Sequence, residues 1–225
     1  MAETERGTRF RRLPRQVREQ QMLDAAVEVF SRRGYRQASM DEIAEMAGIS
    51  KPMIYAYLGP KDELFAACIT REAHLLVDRI SAVVGAGGPP DGLLWQALHA
   101  FFGYVDEHRG GWLVLYRQAR GEDAPFASQV AASRANIAAV VAGLLGQAMD
   151  AEGAARPPEP ELTAVAHALV GAAESLADRM VDQPGETPTV TATRLMNLVW
   201  TGFDSLLRGA RWRPPRDGAA AGKRS

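Results

Sequence analysis

Residues 39–61, SMDEIAEMAGISKPMIYAYLGPK, restrict this part of the chain to two short helices joined by a tight turn. Ser39, followed three residues later by Glu42, is a capping box. Its hydroxyl accepts from the Glu42 backbone N–H while the carboxylate reaches back to the Ser39 N–H. Ile43, Ala44 and Ala47 then share one helical face. Gly48 stops the helix, because glycine takes the left-handed conformation beyond a helix end at little steric cost. Ser50 is a second N-cap, expected to cap the Met53 N–H, and Pro52 sits in the first turn, where its missing N–H is not needed. In the second helix, roughly Lys51 to Leu58, Ile54 and Leu58 lie one turn apart and face inward. Lys51, Pro52, Met53, Ala56 and Tyr57 face outward, and Tyr55 is shared between the two faces, ring packed and hydroxyl wet.

An apolar inner face with a basic and aromatic outer face suits a helix-turn-helix whose second helix enters the major groove of double-stranded DNA. Lys51 matches guanine O6 and N7, and Met53 and Ala56 match a thymine methyl. Lys61, which opens the next helix, is placed for a phosphate. The candidate DNA-binding residues are Arg15, Arg18, Ser39, Lys51, Pro52, Met53, Tyr55, Ala56, Tyr57 and Lys61. Charge supports this reading. Residues 1–61 hold 11 Lys/Arg against 8 Asp/Glu, whereas residues 62–225 hold 15 against 19. Arg6, Arg9, Arg11, Arg12, Arg15 and Arg18 fall in one stretch without an acid, which reads as a flexible arm along phosphates or in the minor groove. The alternative for that stretch is a solvated basic tail.

The periodicity elsewhere is helical, and no β-alternation survives. Leu23, Ala26, Val27 and Phe30 form one buried stripe on a helix from about Arg15 to Arg33, ended by Gly34. A long helix covers about Lys61 to Val84, with Leu64, Phe65, Cys68, Leu75, Leu76 and Ile80 inward. Further helices cover about 91–108, ended by Gly110-Gly111, and about 112–120, 126–152, 161–182 and 188–209. The expected class is all-α. An N-terminal three-helix domain containing the helix-turn-helix precedes a helical ligand-binding and dimerisation domain of about six helices. The expected divisions are a basic arm over 1–14, the DNA-binding domain over 15–61, the effector-binding and dimerisation domain over 62–212, and a disordered tail over 213–225.

The residues that carry the first domain resemble those of the TetR/AcrR-type transcriptional regulators. Ser39, Ile43-Ala44, Ala47-Gly48-Ile49-Ser50, Tyr55, Tyr57 and Lys61-Asp62-Glu63-Leu64-Phe65 follow that family's pattern, and Phe30-Ser31-Arg32-Arg33-Gly34-Tyr35 is similar to its first helix end and turn. Leu58 and Pro60 depart from the usual Phe and Ser. The resemblance covers about residues 15–68 and implies an operator-binding homodimer joined through its last two helices. It also implies repression relieved by an effector. The last two helices carry more apolar surface than one core-facing stripe requires, and Leu169, Ala173, Leu195, Leu198, Val199 and Phe203 are the candidate dimer-interface residues. A palindromic operator follows from two-fold symmetry.

The middle of the chain is aromatic: Trp95, Phe101, Phe102, Tyr104, Trp112, Tyr116 and Phe126. Singly these read as core. As a set, Trp95, His99, Phe102, Trp112, Tyr116, Arg117 and Glu174 are the candidate lining of a pocket for a small hydrophobic effector. His74, His99, His108 and His167 show no metal spacing, and the single Cys68 reads as a core residue. No P-loop, dinucleotide fingerprint, zinc motif or nucleophile elbow is present, so the expectation is a non-enzymatic protein with no metal and no cofactor. No secretory h-region or membrane-spanning apolar run stands out, and the expected location is the cytoplasm. The alternative to a ligand-responsive regulator is a constitutive or architectural DNA binder.

Overall fold

The structure, a computed structural model, describes residues 14–84, 88–118, 126–151, 153 and 156–207. The described residues are helical and contain no strand. The helices are α1 (Arg15–Gln37), α2 (Met40–Met46), α3 (Lys51–Leu58), α4 (Lys61–Val84) and α5 (Pro90–Glu107), then α6 (Arg109–Trp112), α7 (Ala127–Ala151), α8 (Glu159–Asp182) and α9 (Pro188–Leu207). A π-helical segment, Leu113–Gln118, follows α6 directly. The basic stretch ahead of Pro14 and the tail from 213 lie outside the described residues.

The helices form two compact units. One comprises Met1–Leu75 with His108–Ser133, the other Leu76–Glu107 with Arg134–Ser225. The division therefore falls inside α4 rather than at residue 61, and residues 108–133 join the helix-turn-helix. Three features explain why. The Phe126 ring lies 4.8 Å from Phe65 and 5.1 Å from Tyr35, completing an aromatic core with Phe30. Gln129 donates to the Ala66 carbonyl at 3.0 Å and to Thr70 Oγ1 at 2.9 Å. Gly110 and Gly111, expected to end a helix, lie inside α6. A Cβ at Gly111 would overlap the Glu72 carboxylate, and one at Gly110 would lie 3.3 Å from Ser31 Oγ. These glycines permit close packing; α5 has already ended at Glu107, ahead of the non-helical His108.

The inward stripe of α1 holds: Leu23, Ala26, Val27 and Phe30 are all buried. Gly34 takes φ +75°, and helical hydrogen bonding resumes beyond it as far as Gln37. On α4 the inward face is Phe65, Cys68, Ile69, Glu72, Leu76 and Ile80, while Leu75, expected inward, is exposed. Glu72 is 2 % exposed and receives Arg71 Nη2 at 2.6 Å; Arg71 Nη1 also reaches Asp24 of α1 at 2.7 Å. Burial pushes the Cys68 thiol up to about 12, which leaves it protonated and inert at neutral pH.

In the second unit α5 packs most extensively on α9, and both meet α8. Ala142, Leu145 and Met149 of α7 and Leu162 and Ala166 of α8 form a buried cluster, with Trp200 packed against it. Glu159 and Glu161 in the first turn of α8 and Arg179 in its last suit the helix dipole. Arg179 and Arg194 both reach Glu186 in the turn before α9, and Thr187 Oγ1 accepts from the Val190 N–H at 3.3 Å, capping α9. Among the described residues α7 alone is long and apolar enough to cross a membrane by length and composition, contrary to the expectation of none. The Arg134 side chain of this helix is ion-paired to the buried Glu174 of α8, and about a third of its apolar window is buried.

Candidate nucleic-acid interface

The helix-turn-helix is held by backbone and side-chain bonds that the sequence largely specifies. Ser39 is extended, and its Oγ accepts from the Glu42 N–H at 3.1 Å. The other arm of the capping box differs from expectation: the Glu42 carboxylate accepts from Arg33 Nε at 3.2 Å, so it ties α2 to α1. Gly48 has φ +64°. Its N–H reaches the Glu45 carbonyl at 3.1 Å and the Ile49 N–H reaches that of Ala44 at 3.0 Å, the paired bonds of a Schellman helix end. Ser50 is the N-cap of α3 by position, but its hydroxyl makes no capping bond; its carbonyl takes the Met53 N–H at 2.9 Å instead. The Ser50 carbonyl thus takes the N–H that the hydroxyl was expected to cap, and Pro52 sits in the first turn, where its missing N–H is not needed. Gly59, at φ +72°, ends α3.

Ile54 and Leu58 are buried as expected, and Tyr55, expected to pack its ring between the two faces, is exposed instead. Pro52 and Ala56 are exposed, Tyr55 is 45 % exposed, and Lys51, Met53 and Tyr57 are half-buried. Two arginines from the start of α1 lie against this outer face: Arg15 stands 5.1 Å from the centre of the Tyr57 ring, and Arg18 Nη1 approaches Met53 Sδ at 3.4 Å. The structure thus gathers Arg15, Arg18, Lys51, Met53 and Tyr57 onto one surface, with Ser39 exposed at the start of α2. Lys51 Nζ donates to Asp41 Oδ2 at 3.0 Å, and this hydrogen bond holds its ammonium above the usual lysine value, so it is cationic at neutral pH.

Lys61, expected to contact a phosphate, has a structural task. Its Nζ donates to the carbonyls of Arg36 at 3.2 Å and Ala38 at 2.9 Å, and it lies 4.8 Å from the Tyr35 ring centre. It closes the end of α1 and leaves one of three N–H donors for a phosphate. Lys61→Ala is therefore expected to lower stability by roughly 1.5 to 3 kcal/mol, the range for hydrogen bonds to a charged group. It should also weaken binding equally on all DNA sequences and flatten the salt slope by about one. Lys51→Ala is expected to leave the melting temperature unchanged and to relax sequence preference roughly tenfold, as loss of a base contact does. Thermal melts and binding titrations on selected and random duplexes separate the two.

Of the seven expected pocket residues, Trp95 and His99 share a groove among the described residues. This groove, of about 410 Å³, lies in the second unit and is also lined by Arg79, Asp106, Glu107 and Thr189. Arg79 closes on Glu107 through both guanidinium nitrogens, and His99 Nε2 lies 3.1 Å from Thr189 Oγ1. Phe102 is fully buried edge-on to Phe101, and Glu174 is buried against Arg134 at 3.0 Å; neither lines this groove. Trp112 and Tyr116 belong to the first unit, where their rings stack at 3.9 Å in the core. The Arg117 side chain lies outside the described residues. Sequence reasoning missed Arg79 and Thr189, although Arg79 follows the α4 pattern four residues past Leu75 on the exposed side.

The expected dimer residues also divide. Leu169, Ala173 and Leu195 are buried within the subunit, because they fall on the helix faces that α8 and α9 turn inward. Leu198 is 72 % exposed and Val199 half-buried, and the Phe203 side chain lies outside the described residues.

Comparison with known proteins agrees with this arrangement. Residues 22–68 match the model for bacterial regulatory proteins of the tetR family, and residues 90–202 match a tetracyclin repressor-like C-terminal domain. A TetR-like transcriptional regulator from Rhodococcus sp. RHA1 superposes with a TM-score of 0.70 at 44 % identity, over 86 % of this chain and 99 % of that one. A tetR-family regulator from Streptomyces coelicolor superposes at 0.67 with 27 % identity, over 92 % and 94 % of the two chains. The HTH-type transcriptional activator FasR of Mycolicibacterium smegmatis is 36 % identical over 122 residues, 54 % of this chain and 56 % of that protein. The match thus spans about half the length of that curated relative. The chain belongs to the TetR family of DNA-binding transcriptional regulators.

Proposed function

We propose that this regulator binds a palindromic operator as a homodimer in the cytoplasm and answers to a small, largely apolar molecule bound by its second unit. The observation that carries the first part is the outer face of α3, where Lys51, Met53 and Tyr57 stand beside Arg15 and Arg18. The two recognition helices of a dimer would then reach successive major grooves about 34 to 36 Å apart. The effector reading is supported by the groove beside Trp95, whose volume of about 410 Å³ falls in the range of small-molecule sites. Its cation, Arg79, is already paired to Glu107, which favours a ligand with a flat apolar body and one or two hydrogen-bonding groups over a polyanion. α4 contributes residues to both units and is the candidate lever between them. Effector and DNA oppose each other with one reciprocal coupling energy.

Release of a repressor is the favoured outcome. Activation is the second reading, because FasR, identical at 36 % of the matched positions, is an activator. A reporter behind the operator decides: removal of the regulator raises expression for repression and lowers it for activation. An effector from a panel of apolar compounds is expected to raise the melting temperature, by binding the native state, and to weaken operator affinity. Trp95→Ala should blunt both responses while leaving ligand-free DNA binding intact. A panel that shifts neither quantity leaves a constitutive DNA binder.

A further inference from the structure

We propose that Asp41 sets sequence discrimination, by holding Lys51 away from general phosphate binding. The inference rests on Lys51 facing DNA, and adds a residue that the helix-turn-helix pattern does not require.

The geometry is specific. Asp41 is in the first turn of α2 and Lys51 opens α3, ten residues on, so the pair crosses the turn between the two helices. The Asp41 side chain is 74 % exposed and the Lys51 side chain 43 % exposed, with Nζ and Oδ2 3.0 Å apart. An ion pair this exposed contributes little to folding, beyond the favourable place of the Asp41 carboxylate in the first turn of α2. On a DNA-facing surface that carboxylate is also a charge of the wrong sign, repelling the phosphates that Arg15 and Arg18 attract. Its role is more easily understood through its partner. A lysine without a restraint is a mobile point charge that pairs with any phosphate and strengthens binding to every sequence. Held by Asp41, the ammonium keeps one position at the start of the recognition helix. Any phosphate must compete with a carboxylate already bound. A guanine edge is uncharged and offers two acceptors, O6 and N7, to the two N–H donors that the pair leaves over, whereas a phosphate there also meets the charge of Asp41. The restraint thus penalises non-specific binding more than specific binding, and the ratio between the two is what selects an operator among many competing sites.

The test uses the full-length protein, duplexes enriched by the wild type from a random pool, and the unselected pool itself. Affinity is measured by fluorescence anisotropy over a series of salt concentrations for wild type, Asp41→Asn, Lys51→Ala and the double variant. Asp41→Asn is expected to bind the random pool several-fold more tightly and to steepen its salt slope by about 0.9, one additional phosphate neutralised. Operator affinity should rise by less, so selectivity falls several-fold. In the Lys51→Ala background the same change should leave selectivity and slope unaltered. Equal gains on both DNAs overturn the proposal, as does a gain that persists without Lys51, which would mark simple repulsion of phosphate. A loss on operator with random binding unchanged also overturns it, in favour of a direct base contact by Asp41. A wild type that enriches no sequence defeats the DNA reading itself, a different failure from unchanged selectivity. Melting curves of the exposed, isosteric Asp41→Asn confirm that all comparisons are between folded proteins.

Discussion

Trp112→Ala is expected to destabilise the protein by about 3 to 5 kcal/mol, the range for removing a buried large aromatic side chain. Trp112 is 0 % exposed, and its indole stacks on Tyr116 with ring centres 3.9 Å apart and planes 22° apart. It closes the four-residue α6, a helix too short to be stable on its own propensity and kept in place by packing against α1. The neighbouring Gly110 and Gly111 have no side chains that could refill the space. Urea unfolding followed by circular dichroism should show a lower midpoint. Below that midpoint the surviving folded protein should bind operator with unchanged sequence preference. Wild-type stability combined with a lost effector response would instead place the stacked pair in a ligand site.

That contrast marks how much could be read from the sequence. The helix-turn-helix was legible because its signals are local: a hydroxyl cap at Ser39, a left-handed glycine at Gly48, and Ile54 and Leu58 one turn apart. The α4 bounds were legible for a similar reason, since Gly59-Pro60 precede the helix and a glycine-rich stretch follows it. Partners across the fold are not local. Gly110-Gly111 has the form of a helix stop, but its function is set by Glu72 and Ser31, distant in sequence. Phe126 reads as core by itself, but only the positions of Tyr35 and Phe65 assign it to the first unit. Lys61 shows the same limit, because its bonds to the Arg36 and Ala38 carbonyls depend on how α1 ends. Glu72 carries a usable local signal. It follows Phe65, Cys68 and Ile69 on the buried stripe of α4, and the adjacent Arg71 supplies the partner that a buried carboxylate needs.

Leu198→Glu is expected to convert a dimer of twice 24.4 kDa into monomers, raising the dissociation constant at least a hundredfold. Leu198 is 72 % exposed on α9, the most exposed of the large apolar side chains among the described residues. In a two-fold interface each substitution is buried twice, once per subunit, and two like charges without partners are brought together in an apolar contact. The neighbouring helix α8, which packs on α9, carries the exposed Ala164, Ala168 and Ser175, small residues that would allow a second copy to approach closely. The subunit itself should be unharmed, because the new carboxylate meets solvent in the monomer. Leu195→Glu is the contrasting control. Leu195 is 0 % exposed, so a charge there should unfold the subunit rather than separate two folded ones. Sedimentation and melting curves together separate the two effects. Operator affinity should fall more than tenfold in Leu198→Glu, because a monomer engages one half-site and loses the benefit of linked binding. Random-sequence affinity should fall much less, since phosphate contacts of a single subunit suffice for it. A Leu198→Glu protein that stays dimeric would move the interface off this face of α9, and a monomeric wild type that still binds a palindrome tightly would remove the dimer from the mechanism.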